Sequence, residues 1–277
     1  MALAMNIPTP PRILSIAGSD SSGGAGIQAD IKTIAMLGGY AMTAITAITA
    51  QNTLGVQGIA PIAPEMVARQ IQSCLSDIGV DAIKIGMLHD AAVIAAVGEA
   101  LEGVTAPIVL DPVMIATSGA ALIAPDAIAA MRDHLFPRAA LITPNLPELV
   151  TLAGRPLAGT QDIAAAASEI AAATGAAVLA KGGHGEGDRI VDVLFLPAQD
   201  AQGERAVAFD HARIETLHTH GTGCTLSSAI ATLLGHGQPL EHAVRLGRQF
   251  VIRAIEHAPG FGAGHGPLGH QAVRGLA

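Results

Sequence analysis

An α/β fold built on a mostly parallel sheet is what this sequence of 277 residues predicts. Three observations carry that expectation. Short, continuous apolar runs alternate with helix-length segments, the pattern of strands covered by helices on both faces. Half of the residues are hydrophobic and 14% are charged, which permits a sizeable core and argues against disorder. Polar and glycine-rich clusters follow the apolar runs, where the carboxyl ends of parallel strands should stand. No linker or compositional break divides the chain, so a single domain is expected over residues 1–277, with residues 1–11 flexible.

Taken in order, Arg12–Ala17 reads as a strand, followed by a glycine-rich loop and a helix from about Gly26 to Leu37. Tyr40–Thr49 and Ala82–Ile85 read as strands with a helix, Glu65–Ser76, between them. Ala91–Leu101 is helical, and Pro107–Leu110 is a short buried strand ending at Asp111. A helix Ala124–His134, a strand Ala139–Ile142, a helix Ile163–Thr174 and a strand Ala177–Ala180 continue the alternation. Arg189–Leu196 and Arg205–Phe209 look like an antiparallel pair, and helices start at Thr222 and Leu240.

Composition excludes several classes. The net charge of −8 removes the basic footprint of nucleic-acid binding, and the near absence of aromatics removes base stacking. Cys74 and Cys224 make no disulfide framework, so a reducing cytoplasm is expected. Thr33–Pro64 lacks charge, but polar, glycine and proline residues interrupt it, so buried sheet is expected rather than a membrane span. The N-terminus lacks the positive region and apolar core of a secretory signal.

The segment His218–Ala231 (HTHGTGCTLSSAIA) is the most informative. Gly221 and Gly223 flank Thr222 just before an apolar helical run, so free N–H groups and a positive dipole end face the loop, as in a phosphate site. A plain glycine-led helix start explains the same pattern. Cys224 falls on the first turn, where the helix field is expected to lower its thiol pKa. Gly24–Ala29 (GAGIQA) loosely matches a dinucleotide fingerprint, yet after Asp30 the next acidic residue is Glu65, so NAD binding is rejected; no Walker loop is present. Pro144–Glu148 (PNLPE) fits a helix cap, with Asn145 at the cap and Glu148 completing a capping box, and equally a carboxylate for hydrated Mg²⁺. Asp111 is open between backbone and metal bonding. Lys181 suits a phosphate, with snorkelling to the surface as its alternative. Gln51 offers a donor and an acceptor side by side, matching an aminopyrimidine edge or a satisfied buried amide.

Together, Ala17–Thr33 (AGSDSSGGAGIQADIKT), Ile48–Val56, Lys84–Leu88 (KIGML), Leu110–Met114 (LDPVM), Leu141–Glu148 (LITPNLPE), Leu179–His184 (LAKGGH), Thr219–Ala231 and the tail Gly264–His270 resemble one family. It is the hydroxymethylpyrimidine/phosphomethylpyrimidine kinases of thiamine biosynthesis, in the ribokinase-like superfamily. The resemblance implies a ribokinase-like three-layer α/β/α sandwich that binds ATP, Mg²⁺ and a substituted pyrimidine. Gln51 would hold the pyrimidine edge, with Gly18, Asp30, Met87 and Val113 around it. Gly221, Thr222 and Gly223 would form the anion hole, and Cys224 would stand where many relatives in the wider superfamily carry an aspartate base. Lys181, Asn145 and Thr219 would serve the nucleotide, and Glu148 and Asp111 the metal. A cytoplasmic homodimer is implied as well. His218 departs from an expected polar residue such as Asn, and Thr117 replaces a lysine of some members.

The family performs two transfers, onto the 5-hydroxymethyl group and then onto the resulting phosphate. Only the alcohol must lose a proton, so Cys224 is expected to matter more for the first. Rival readings are a pyridoxal kinase on the same scaffold, a cysteine hydrolase using Cys224 with His220, and a nucleotide sensor without turnover.

Overall fold

Strand β1 (Arg12–Asp20) stands next to the point where the sheet reverses its order, and the rest of the molecule is arranged about it. The computed structural model describes residues 9–114, 126–183, 187–197 and 205–273. The other strands are β2 (Tyr40–Asn52), β3 (Gly55–Pro61), β4 (Ala82–Ile85), β5 (Ile108–Leu110), β6 (Leu141–Ile142), β7 (Ala177–Ala180), β8 (Arg189–Leu196) and β9 (Arg205–Ala212). They form one sheet in the order β3-β2-β1-β4-β5-β6-β7-β8-β9. The run from β2 to β7 is parallel, while β3 at one edge and β8 and β9 at the other are antiparallel. With β2 and β4 on opposite sides of β1, the crevice outside their carboxyl ends is a topological switch point, where ligands bind in such sheets.

Helices α1 (Gly26–Met36), α7 (Thr222–Gly235) and α8 (Leu240–Glu256) contribute to the core on one face. Helices α2 (Pro64–Ser73), α3 (Ala91–Ala100), α4 (Ala127–His134), α5 (Leu146–Ala153) and α6 (Gly159–Thr174) contribute to the core on the other. Alternation along single strands produces the two cores. Leu14, Ile16, Ile83 and Ile85 pack toward α2 and α3, whereas Ile13 and Ala82 pack toward α1 and α7. The expected three-layer α/β/α sandwich is therefore the observed one.

Several elements differ from the sequence reading. No strand was expected between Thr49 and the helix at Glu65, yet β3 pairs with β2 as an edge hairpin. Its glycines and terminal proline are tolerated because an edge strand lacks a partner on one side. Strands β1 and β2 run on to Asp20 and Asn52, past a register shift between Ala17 and Ser19. Gly18 lies in that shift, which re-aims Ser19 and Asp20 into the crevice. The helix expected to run on to Ser76 ends at Ser73 and passes into a π-helical turn, Cys74–Ile78. The expected start at Ala124 lies outside the described residues, as does most of the 1–11 segment. Pro11 is buried and its carbonyl accepts from Tyr40 N at 2.8 Å.

Candidate active site

A cavity of about 680 Å³ opens over the carboxyl ends of the parallel strands, within the size range of small-ligand sites. Strand ends supply its floor: Gly18 near the end of β1, Gln51 at the end of β2, Met87 after β4, Asp111 and Val113 after β5, Asn145 after β6 and Lys181 after β7. Thr219, Gly221, Thr222, Gly223 and Cys224 close it from the start of α7, and Glu148 lines it from α5.

The loop before α7 presents unpaired helix N–H groups to the cavity, the arrangement that suits an anion. Gly221 is the cap of α7 with φ +86, and a side chain there would collide with the carbonyl of Gly24. The glycine thus lets two glycine-rich loops touch. The first-turn N–H groups, Gly223 and Cys224 among them, have no partner further back in the helix. Their dipole end faces the cavity.

Beside this loop lies a charged cluster. Lys181 Nζ donates to Asp111 Oδ1 at 2.8 Å, and Thr143 Oγ1 donates to the same oxygen at 3.0 Å. A β-carbon on Gly223 would stand 3.1 Å from Asp111 Oδ2 and 3.4 Å from Lys181 Nζ, so the cluster borders the anion loop. Asn145 and Glu148 form the expected capping box: Asn145 Oδ1 accepts from Glu148 N at 2.9 Å, and Asn145 N donates to Glu148 Oε2 at 2.8 Å. Burial, joined by the Asp111 charge, pushes the Glu148 carboxyl up to about 7 while Lys181 pulls against them. Burial opposes the Lys181 charge, but Asp111 and Glu148 outweigh it and hold the ammonium above its ordinary range.

Asp20 and His220 both line the cavity; from the sequence Asp20 was not singled out as a site residue, and His220 was named only as the base of the rival hydrolase reading. The signal was a carboxylate at a strand end ahead of small residues, and a histidine adjoining Gly-Thr-Gly. Asp20 accepts from the N–H groups of Ser22, Gly24 and Ala25 and so shapes the glycine-rich loop. His220 Nε2 lies 2.8 Å from Asp20 Oδ2. Burial works against the Asp20 charge, yet the His220 and Ser22 side chains and the loop N–H groups hold its carboxyl below the usual range. With its ring nitrogen 2.8 Å from Asp20 and 3.4 Å from Gln51 Nε2, His220 is engaged with these two residues and not with Cys224.

Two expectations are corrected. Asp30 does not line the cavity. It is fully buried, paired with Lys84 Nζ at 2.8 Å, and accepts from Ser15 Oγ at 2.5 Å and Ser228 Oγ at 2.6 Å. Its place on the inward face of α1 puts it beneath the site instead of in it. The Cys224 thiol is not lowered. Burial pushes it up to about 11, with Asp30 and Asp111 adding to the shift and Lys84 opposing it. The helix end does not overcome burial beside two carboxylates. His218 keeps a buried Nδ1 without a partner among the described residues, and Thr117 lies outside them.

Residues 20–269 match the phosphomethylpyrimidine kinase family. A hydroxymethylpyrimidine/phosphomethylpyrimidine kinase of Rhizobium meliloti is 46% identical over 260 residues, covering 93% of this chain and 96% of the relative. Among solved structures, an ADP complex of Bacillus subtilis pyridoxal kinase superposes with a TM-score of 0.85 at 35% identity, covering 95% of this chain and 98% of that one. Phosphomethylpyrimidine kinase from Clostridium difficile superposes with a TM-score of 0.75 at 38% identity, covering 88% and 99%. With its switch-point cavity, its glycine-capped anion loop and these likenesses, the chain belongs to the phosphomethylpyrimidine kinase family.

Proposed function

We propose that this chain transfers the γ-phosphoryl group of ATP to 4-amino-5-hydroxymethyl-2-methylpyrimidine, and then a second to the resulting monophosphate. The observation that carries this reading is a single cavity lined by Gln51 together with the anion loop, Lys181 and two carboxylates. Gln51 would hold the ring edge, with Gly18, Met87 and Val113 as its walls. Gly221, Thr222 and Gly223 would stabilise the charge on the phosphoryl group in flight, where positioning and electrostatics do most of the catalytic work. Lys181, Asn145 and Thr219 would hold the nucleotide.

Among the described residues no group of three or more His, Cys, Asp or Glu is placed to cage a metal. Asp111 and Glu148 nevertheless offer hard oxygen donors beside the anion loop. That donor set fits Mg²⁺, which needs one or two carboxylates and takes its other ligands from water and phosphate. When bound, the ion would neutralise phosphate charge.

Cys224 stands at the anion loop with its thiol protonated at neutral pH. We assign it the proton of the hydroxymethyl group, a task only its thiolate form performs and one the second transfer does not require. A homodimer and a cytoplasmic location belong to the same reading and rest on the family likeness; no helix among the described residues is long and apolar enough to cross a membrane. A second reading, phosphorylation of pyridoxal, draws on the likeness to pyridoxal kinases.

An ADP-release assay with Mg-ATP, offering hydroxymethylpyrimidine, its monophosphate and pyridoxal in parallel, tests both. Turnover of both pyrimidines that is lost in Gln51→Ala supports the first reading, and turnover of pyridoxal alone replaces it with the second.

A further inference from the structure

A primary amide has one end that accepts and one that donates, and half a turn about its last bond exchanges them. Which way Gln51 faces is decided by its neighbours. Asp20 is ionised and already receives three loop N–H groups and the Ser22 hydroxyl. A carboxylate only accepts, so His220 Nε2, at 2.8 Å, must carry its proton. The end of the Gln51 amide that lies 3.4 Å from this nitrogen therefore faces an N–H shared with Asp20 and no lone pair. An NH₂ there would set donor against donor.

The opposite end of the amide gives the same answer. Thr49 Oγ1 lies 2.9 Å from the Ser19 carbonyl and 3.1 Å from the second terminal atom of Gln51. The carbonyl only accepts, so it takes the single hydroxyl proton. Thr49 is left to accept from Gln51. His220 is itself held firmly: its N–H donates to the Gly266 carbonyl at 3.2 Å, and its ring occupies the space that a β-carbon on Gly24 would need.

Resting on the role given to Gln51 above, we infer that the Asp20–His220 pair and Thr49 lock the Gln51 amide with its oxygen toward His220 and its nitrogen toward Thr49, and that this lock selects rings carrying an amino group beside a ring nitrogen. Each end of the amide keeps one further hydrogen-bonding position for the cavity, so a ring meets one acceptor and one donor in fixed order. An aminopyrimidine edge answers both. Pyridoxal presents an aldehyde and, in its ionised form, a phenolate oxygen, both acceptors only, which set acceptor against the amide oxygen. Asp20 and His220 are thus positioning residues that act on specificity through Gln51.

Steady-state kinetics with Mg-ATP, using hydroxymethylpyrimidine and pyridoxal as alternative substrates or competitors, test this on His220→Leu, His220→Gln and Thr49→Val. In His220→Leu the KM for the pyrimidine is expected to rise about tenfold, the scale of one lost hydrogen-bonding preference, while the KM or Ki of pyridoxal stays level or falls. Thr49→Val should shift the ratio in the same direction and carries the test if the histidine variant does not fold. His220→Gln, whose amide can still donate to Asp20, should restore most of the preference. An equal change for both rings marks a merely structural pair and overturns the inference, as does an unchanged ratio. A wild-type enzyme inert toward the pyrimidine overturns the proposed function itself, which sets that failure apart.

Discussion

Two aspartate–lysine pairs, Asp30–Lys84 and Asp111–Lys181, share a 2.8 Å contact and a buried carboxylate, and differ in whether the lysine reaches the cavity. Both side chains of the first pair are 0% exposed, and Ser15 and Ser228 take up the remaining capacity of Asp30. In the second pair Lys181 is 14% exposed and faces the cavity beside Gly223. The same two functional groups are thus a sealed structural bond in one place and a pair open to ligand in the other. What distinguishes them is whether a ligand can reach the charge, not the charge itself.

Breaking the sealed pair should give the largest effect. Lys84→Met leaves a buried carboxylate without its cation and is expected to cost about 3–5 kcal/mol in urea unfolding followed by circular dichroism. The double variant Lys84→Met/Asp30→Leu should recover part of that loss, because the apolar pair needs no cation but leaves the buried Ser15 and Ser228 hydroxyls without their acceptor. A double variant as unstable as the single one would mean that Asp30 has further duties.

Lys181→Met inverts the pattern. Turnover should fall by about 10² to 10³, the scale of one lost electrostatic donor in a transition state, with a smaller loss of stability than in Lys84→Met, because Asp111 is buried but keeps the Thr143 hydroxyl and borders the cavity. A protein that unfolds in parallel would make this pair structural too.

The Cys224 thiol sharpens the contrast, since it adjoins the open pair. With its thiol pushed up to about 11, only the small thiolate fraction present at neutral pH can take a proton. For the first transfer, kcat/KM should rise about tenfold per unit between pH 7 and 9, while the second transfer stays comparatively flat. Cys224→Ala should slow the first transfer by about 10² and spare the second. Equal losses in both transfers would remove the cysteine from proton transfer.

His270 gives the smallest expected effect. Burial, with the Lys32 charge adding, lowers its pKa to about 4. The folded state therefore resists protonation, and its advantage over the unfolded chain is lost as pH falls from about 6.5 toward 4. By pH 5 this amounts to about 2 kcal/mol of stability, and His270→Asn should lack that part of the slope.

The strands of the parallel sheet were legible because each is a continuous apolar run, and the site was legible because polar clusters follow those runs. Asp30 was misplaced because it shares a motif with residues that do line the cavity; nothing in the sequence says that α1 turns it inward onto Lys84. The edge hairpin was missed because β3 carries glycine and proline without an apolar run. The direction of the Cys224 shift was misread because the helix end is visible in sequence, whereas the carboxylates of Asp30 and Asp111 and the burial come from remote segments. Asp20 and His220, 200 residues apart, meet only in the folded chain.

The tail that runs through Gly264–Pro267 has a kinetic consequence. His265 N donates to the Thr53 carbonyl, Gly264 N lies 3.3 Å from Thr53 Oγ1 across 211 residues, and the Gly266 carbonyl accepts from His220 N. The segments that carry Gln51 and His220 are thus tied to the tail by some of the longest-range contacts in the chain, and closing long loops is slow. On refolding, helical signal should return well ahead of kinase turnover, because the pocket matures only once the tail finds the hairpin that lies so far before it.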